Sequence, residues 1–496
     1  MYQIINKTVM RKNILKVLVS ILLLPAIFGC GSKFLETDYS RGIDVDDGLS
    51  STANIKVALN GVYYRLFYYP FAGNYATNIG DVTTDIVYCN LKTGHMDKLY
   101  TYTFVDTESY LNSIWNYGYK VADNAARVIK GAKELYPNVS ASEQKVLDRC
   151  IAEAYALRGY AMLRLVNIFG HQIKVNGTDF SGNLGVVLID EPIPAFEEVS
   201  RATVGETYAA ILSDFNNALT HFAAGETQSN RCYFTPAAVK GLLARTYLYM
   251  ENWSQAASYA MDAISTSGLK MVYTEAAYEK LYTGGGSSNT ESMFYLAIDQ
   301  LNNWSANSSG TLWSTYNFAP SPKLLDMLAA NDIRRVIMNY DAESTPEVPV
   351  YAGGKFHTKN TAHATHYLVN VPEMYLIAAE AQLQQNNLTQ AANMLLNVAK
   401  RNPAITSAGD LPTTKAELFQ FIKDERAREL FQEGLRLWDL RRWNEMASVY
   451  AYEAPSIKYR YNNYKISDLI FPIPADEINA GYGVVQNEGW NNTLPK

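Results

Sequence analysis

The chain has 496 residues, 48% of them hydrophobic and 19% charged, with a formal net charge of −6. That length holds one large domain or two of medium size with a real core, and the lack of any basic cluster argues against a nucleic-acid binder. The four cysteines, Cys30, Cys89, Cys150 and Cys232, include no C-x-x-C pair, which excludes a disulfide framework and a cysteine zinc site.

The N-terminus reads as an export signal. Lys7, Arg11, Lys12 and Lys16 form a positive region, and the apolar run 17–28 ("VLVSILLLPAIF") follows. Twelve residues are too few for a membrane-spanning helix, which needs about 20, so the run reads as the core of a signal peptide over 1–29. "IFGC" (27–30) resembles the lipobox of bacterial lipoproteins, in which Cys30 becomes the lipidated N-terminus. The alternative is a soluble exported protein cut elsewhere, with Cys30 incidental. Loss of 1–29 removes four basic and no acidic residues and takes the formal charge from −6 to −10. No later stretch approaches 18 uninterrupted apolar residues, so a lipid would be the sole membrane attachment.

Helical periodicity starts at 51–68, where Ala53, Val57, Gly61, Tyr64 and Tyr68 recur at steps of three and four and read as a first helix. Residues 70–105 read as loop, with Pro, Gly, Asn and Asp scattered through them. "ESYLNSIWNYGYKVADNAARVIKGAKEL" (108–135) is amphipathic, and 141–170 is a second long helix ended by Gly170. "GLLARTYLYMENWSQAASYAMDAIS" (241–265) has the small-residue spacing of a tetratricopeptide (TPR) helix pair, turning at Asn252 and Trp253. "EMYLIAAEAQLQQNNLTQAANMLLNVAKRNP" (373–403) repeats the offsets. Ala256 and Ala391 are equivalent, 135 residues or about four TPR periods apart. Weaker pairs flank these, one joining 141–170 to 206–222 and one over 417–443 with a break at Gly434. The expected fold is mainly α: a TPR-like α/α superhelical scaffold of four helix pairs (about 141–222, 236–265, 372–403 and 416–445), with long irregular insertions and few short strands. The insertions, about 70–105 and 269–370, form a second layer on that scaffold; long irregular excursions of this kind are usually functional.

Five blocks carry a family resemblance: "CGSKFLET" (30–37), "IWNYGYKVADNAARVI" (114–129), "APSPKLLDMLAANDIRR" (319–335), "ERARELFQEGLRLWDLRRW" (425–443) and "FPIPADEINAGYGVVQNEGW" (471–490). In this order they resemble the SusD/RagB nutrient-uptake outer-membrane lipoproteins over essentially all of the chain after Cys30, as a single domain 30–496. One departure is Asn370, where the family commonly has Arg three residues before the position of Glu373. The resemblance implies a lipid-anchored protein on the outer leaflet of a Bacteroidetes-type outer membrane. There it would capture a glycan or, as in some relatives, a peptide, and hand it to a SusC-like TonB-dependent transporter. The TPR-like face would pack on the transporter and the irregular face would carry the ligand.

The chemistry of the loops agrees. Sugars present apolar C–H faces that stack on aromatic rings and hydroxyl edges that bond Asp, Asn and Arg. The chain has 36 tyrosines, densest in "VYYRLFYYPFAGNYATN" (62–78). "NNWSANSSGTLWSTYNF" (302–318) makes Trp304 and Trp313 the leading platforms, on the expectation that a Trp in a Gly/Ser/Asn loop is exposed. Tyr316, Tyr88 and Tyr75 come next, with Asp81, Asp85 and Asn302 as polar candidates. The competing reading is that these side chains anchor the loops to the scaffold. Trp115, Trp438 and Trp443 lie in helical patterns and read as packing, with Arg441 or Arg442 paired to an acid.

An enzyme is not expected. His363 and His366, with His357 nearby, lack the H-E-x-x-H arrangement and a spaced third ligand. "GGGSS" lacks the Lys-Ser/Thr of a phosphate loop, and there is no G-x-S-x-G. No metal or cofactor is expected. Two other readings stay open: a surface glycoside hydrolase with an unrecognised carboxylate pair, and a TPR adaptor that binds protein partners alone.

Overall fold

The computed structural model describes residues 48–495 apart from 341, 342, 346, 349, 350, 352, 357–360 and 455. The expected signal segment 1–29, Cys30 and His357 lie outside the described residues.

Helices α1 (Thr52–Phe67) and α2 (Tyr75–Val82) precede a run of long helices: α3 (Ser109–Leu135), α4 (Ala141–Phe169), α5 (Val204–Ala224), α6 (Pro236–Tyr249) and α7 (Trp253–Ser267). After the large insertion come α8 (Val371–Gln384), α9 (Leu388–Ala399), α10 (Lys415–Glu429) and α11 (Arg436–Arg442). From α3 to α9 each helix packs on its neighbour in sequence, and α7 closes on α8 across the insertion. Local chemistry marks the starts. Ser140 and Thr203 form capping boxes with Glu143 and Glu206, satisfying amide groups that the first turn leaves unpaired. Asn252 accepts from the Gln255 amide and begins α7. Ala256, Ala260 and Ala263 on α7, with Ala378, Ala379 and Ala381 on α8, are fully or almost fully buried. Side chains this small let the helix axes approach closely, as the TPR spacing requires.

The segment 416–445 departs from a simple hairpin. Arg436–Arg442 is seven residues long and packs on α2. It is tied to α10 by the ion pair of Arg426 with Asp439 at 2.7 Å. The packing of α11 on α2 demands two glycines. A Cβ on Gly80 would stand 2.2 Å from the Gly434 carbonyl oxygen, and one on Gly434 would stand 1.8 Å from that of Thr77. Gly434 also has φ of +68°, a left-handed turn that glycine adopts without strain.

The stripe of α1 that packs on the scaffold is not the one carrying Val57 and Tyr64. Ile55, Leu59, Val62 and Leu66 are buried, whereas Val57 is 70% and Tyr64 53% exposed. Residues 51–68 carry two apolar stripes, and periodicity alone does not say which one meets the scaffold.

The two insertions clasp each other. Strand β1 (Val87–Cys89) pairs antiparallel with β3 (Phe318–Pro320), and β2 (Ser292–Leu296) with β4 (His366–Asn370), which leads directly into α8. A final hairpin joins β5 (Met446–Glu453) to β6 (Ser456–Lys465). The layer is welded to the helices by buried ions. Arg334 bonds Asp332 at 2.7 Å, Glu425 at 2.7 Å and Glu429 at 3.1 Å. Arg401 meets Glu291 at 2.5 Å, and Lys355 meets Glu433 at 2.5 Å. Asn370, where the family resemblance implies Arg, donates to Glu433 at 2.8 Å, and Lys355 supplies the positive charge there. Arg442 pairs with Glu380 at 2.5 Å and with Asp439 at 2.9 Å.

Two outcomes test this account. Gly80→Ala forces backbone apart and should lower stability by about 1–3 kcal/mol in urea unfolding. Burial alone would raise the Glu425 carboxyl, but Arg334 and Arg428 hold it down at about 2 from an ordinary 4.5. A depressed acid stabilises the fold above its unfolded value, so this contribution should be complete above pH 4.5 and fade as pH falls toward 2. Glu425→Gln should flatten that arm of the stability–pH curve and, by leaving Arg334 and Arg428 short of a counter-charge, cost about 3–5 kcal/mol at pH 7.

Candidate functional site

The outward stripe of α1 and the insertions meet in one aromatic face. Tyr64 lies edge-on to Trp304 at a centroid distance of 5.9 Å, and Trp304 meets Tyr68 at 4.7 Å. Tyr68 touches Tyr69 at 4.6 Å, Tyr69 touches Tyr75 at 5.3 Å, and Tyr75 touches Tyr110 of α3 at 4.7 Å. All of these rings are half-buried except Tyr64, which is exposed. Trp304 is held by its indole N–H, which donates to the Phe67 carbonyl at 3.1 Å, and is half-buried.

Tyr316 stands at the far end. Its ring stacks on His95 at 3.5 Å with the planes 7° apart. Burial lowers the His95 imidazole below its ordinary value, so it stacks as a neutral ring at pH 7. Burial and the neighbouring phenols of Tyr110 and Tyr69 push the Tyr75 phenol up. The face therefore offers uncharged rings edged by hydroxyls, a surface suited to stacking against a ligand with apolar faces and hydrogen-bonding rims. Asn302 is exposed nearby, its backbone amide bonded to Asp299 at 2.8 Å.

Other candidates are buried, contrary to the expectation of exposed loop residues. Trp313 is fully buried, donates to the Asn78 side chain at 2.8 Å and packs edge-on to Phe431 at 5.1 Å. Tyr88 is buried on β1, the strand that pairs with β3. Asp81 accepts the Gly434 amide at 3.0 Å and the Arg436 amide at 3.3 Å; burial pushes its carboxyl up to about 6. Asp85 is also buried but is held well below the usual carboxylate range by Arg436 at 2.9 Å and Lys323 at 2.6 Å. These four side chains fasten the insertions to each other and to the 434–436 turn. A loop Trp or Asp in this fold becomes an anchor because the two insertions bury one another.

Sequence reasoning missed Tyr64, Tyr68, Tyr69 and Tyr110 as members of the face. The signal is present in the tyrosine density of 62–78, but periodicity alone does not say that Tyr64 and Tyr68 lie on the outward side of α1. Trp115, Trp438 and Trp443 are buried in the helices. Arg441 donates to the Asn167 and Gly170 carbonyls at 2.8 and 3.1 Å, and Arg442 takes the acids. Among the described residues no group of three His, Cys, Asp or Glu side chains could hold a metal ion. His366 is buried on β4, its imidazole lowered to about 3 by burial.

The architecture is a helical-repeat scaffold that carries an aromatic face on clasped insertions. The family model described as "Starch-binding associating with outer membrane" matches residues 34–248, and the one described as "SusD family" matches 345–490. The SusD-like protein P25 of Formosa agariphila is 21% identical, with 97% of this chain aligned to 99% of that one. A solved Bacteroides vulgatus structure superposes at a TM-score of 0.79 with 24% identity, covering 89% of this chain and 99% of its own. A SusD-like carbohydrate binding protein from the same organism superposes at 0.67 with 19% identity, over 83% and 89%. The chain belongs to the SusD/RagB family.

The two tryptophans should separate on mutation. Trp313→Ala removes a fully buried ring and a buried hydrogen bond, and thermal and urea unfolding should show a loss of about 3–5 kcal/mol. Trp304→Ala should cost clearly less and leave the far-ultraviolet dichroism unchanged.

Proposed function

We propose that this chain binds a nutrient glycan, most simply an oligosaccharide, on the aromatic face and delivers it to a SusC-like TonB-dependent transporter without cleaving it. In this reading Cys30 carries the lipid after removal of the signal peptide 1–29, and residues 30–496 form one domain held at the outer membrane and facing the cell exterior. The TPR-like helices meet the transporter and the insertions meet the ligand. The observation that carries the reading is the run of ring contacts from Tyr64 through Trp304 to Tyr110, with Tyr64 53% exposed. A continuous run of partly accessible rings is a surface on which a ligand with apolar faces can stack. The starch-binding and outer-membrane description of the matched family and the carbohydrate-binding relative support the same choice. Trp304, Tyr75 and Tyr316 are proposed as platforms and Asn302 as a polar contact, joined by Tyr64 and Tyr68.

Calorimetric titration of residues 31–496 against maltooligosaccharides, other oligosaccharides, polysaccharides and peptides tests the proposal. Trp304→Ala and Tyr64→Ala should each weaken binding by about 0.5–1.5 kcal/mol, the scale of one aromatic contact, and chromatography should find the ligand intact. Breakdown products would establish catalysis instead. Binding that neither substitution weakens would remove the aromatic face from the mechanism.

A further inference from the structure

A second site lies away from the aromatic face, at the junction of α4 with the C-terminal hairpin. Beyond Gly170 the chain turns back through a small hairpin, Lys174–Val175 against Thr178–Asp179. Asn176 and Gly177 form its tip, with φ of +46° and +84°. The tip is pinned from both sides: the Asn176 amide donates to the Arg442 carbonyl at 2.8 Å and the Gly177 amide to Glu251 at 3.1 Å. Between this hairpin and residues 465–468 there is a cavity of about 440 Å³, within the range of small-molecule sites.

Gln172 lines that cavity, is 2% exposed, and has no hydrogen-bond partner on either its amide nitrogen or its amide oxygen. A buried amide with both ends unsatisfied costs free energy that folding has no reason to retain at an idle position. The wall beside it is aromatic, with His171 and Phe180 at 6.0 Å and 9° from parallel. Burial and the nearby Arg441 and Arg201 lower the His171 imidazole to about 4, so it is neutral at pH 7. At the rim Lys465 and Asp468 satisfy each other at 3.0 Å, leaving no net charge to select an ion. Ser467 is already committed to Asn444 at 2.7 Å, and the unpartnered Gln172 amide lies just beneath a floor that also carries Asn176 and Thr178.

We infer that this cavity is a binding site for a small neutral polyhydroxylated ring of monosaccharide size. A turn of the Gln172 side chain toward the cavity brings its donor and acceptor to adjacent hydroxyls of the ring, whose apolar face lies on the His171–Phe180 wall. Every hydroxyl both gives and accepts a hydrogen bond, which matches an amide that must do both at once. The site shares no residue with the aromatic face, so it stands independently of the capture reading.

The test uses the Trp304→Ala protein, in which the aromatic face is impaired, and titrates D-glucose, D-galactose and D-mannose by ligand-observed NMR and calorimetry. At least one hexose should bind in the millimolar range, and Gln172→Leu should weaken it at least tenfold with no fall in Tm. Thr178→Trp, which fills the cavity from the exposed hairpin, should abolish the same binding and serves if Gln172→Leu does not fold. Absence of binding by all three hexoses, or binding that survives both substitutions, would show that the cavity holds water alone and would overturn the inference. Oligosaccharide binding weakened in Trp304→Ala with hexose affinity equal to that of the parent would separate the two sites.

Discussion

The structure depends on cations and carboxylates buried together where the insertion meets the last scaffold helices. Glu425, Glu429 and Glu433 lie along one short stretch at the end of α10, and each meets a cation brought by another segment: Arg334, Arg401 and Lys355. Taking such charges out of water is expensive, and their attraction offsets the cost where geometry and hydrogen bonds are complete. An arrangement of this kind adds little net stability over a packed apolar core. Its effect is specificity: any other docking of the insertion leaves several charges buried without partners. The 269–370 excursion is built of short elements, among them the helices Glu275–Thr283, Ser309–Ser314 and Pro322–Met327, and this lattice holds them in one place.

The aromatic face follows from that placement. Trp304 reaches Tyr64, Tyr68 and Tyr69 because β1 pairs with β3 and Asn74 bonds the Asn307 carbonyl at 2.7 Å. The buried candidates and the exposed ones thus do complementary work. Trp313, Asp81 and Asp85 fix the frame, and Trp304, Tyr75 and Tyr316 occupy its surface. A rigid frame under half-buried rings suits ligand capture, because little side-chain freedom is left to lose on binding.

Asn370 takes part in the same lattice. The Arg that the family resemblance implies at this position would place a fixed charge at the start of α8. Here the shorter Asn keeps a hydrogen bond to Glu433, while Lys355 reaches the same carboxylate from the insertion. Glu373 is served from elsewhere, by Arg245 at 2.6 Å. The site retains its charge balance, with the cation coming from a different part of the chain.

Helix positions and ends were legible from local chemistry. The capping boxes at Ser140 and Thr203, the turn at Asn252 and the alanine spacing of α7 and α8 act between residues a few positions apart, so a linear reading contains them. The burial of Trp115, Trp438 and Trp443 could be read from the same periodicity. The aromatic content of the site was legible as composition, in 62–78 and 302–318, but its membership was not. Residues 51–68 carry two apolar stripes, and the choice between them lies with helices α3 and α4 that arrive later in the chain. Trp304 and Trp313 stand in the same polar loop nine positions apart, and one is surface while the other is core. That distinction rests on contacts across more than two hundred residues, Trp313 with Asn78 and Trp304 with Phe67. The sequence by itself determined the repeat scaffold and the chemistry available to the loops, because helix capping and small-residue packing are local. Which rings face solvent was decided by the tertiary structure, because exposure is set by what the second insertion covers when it closes on the first.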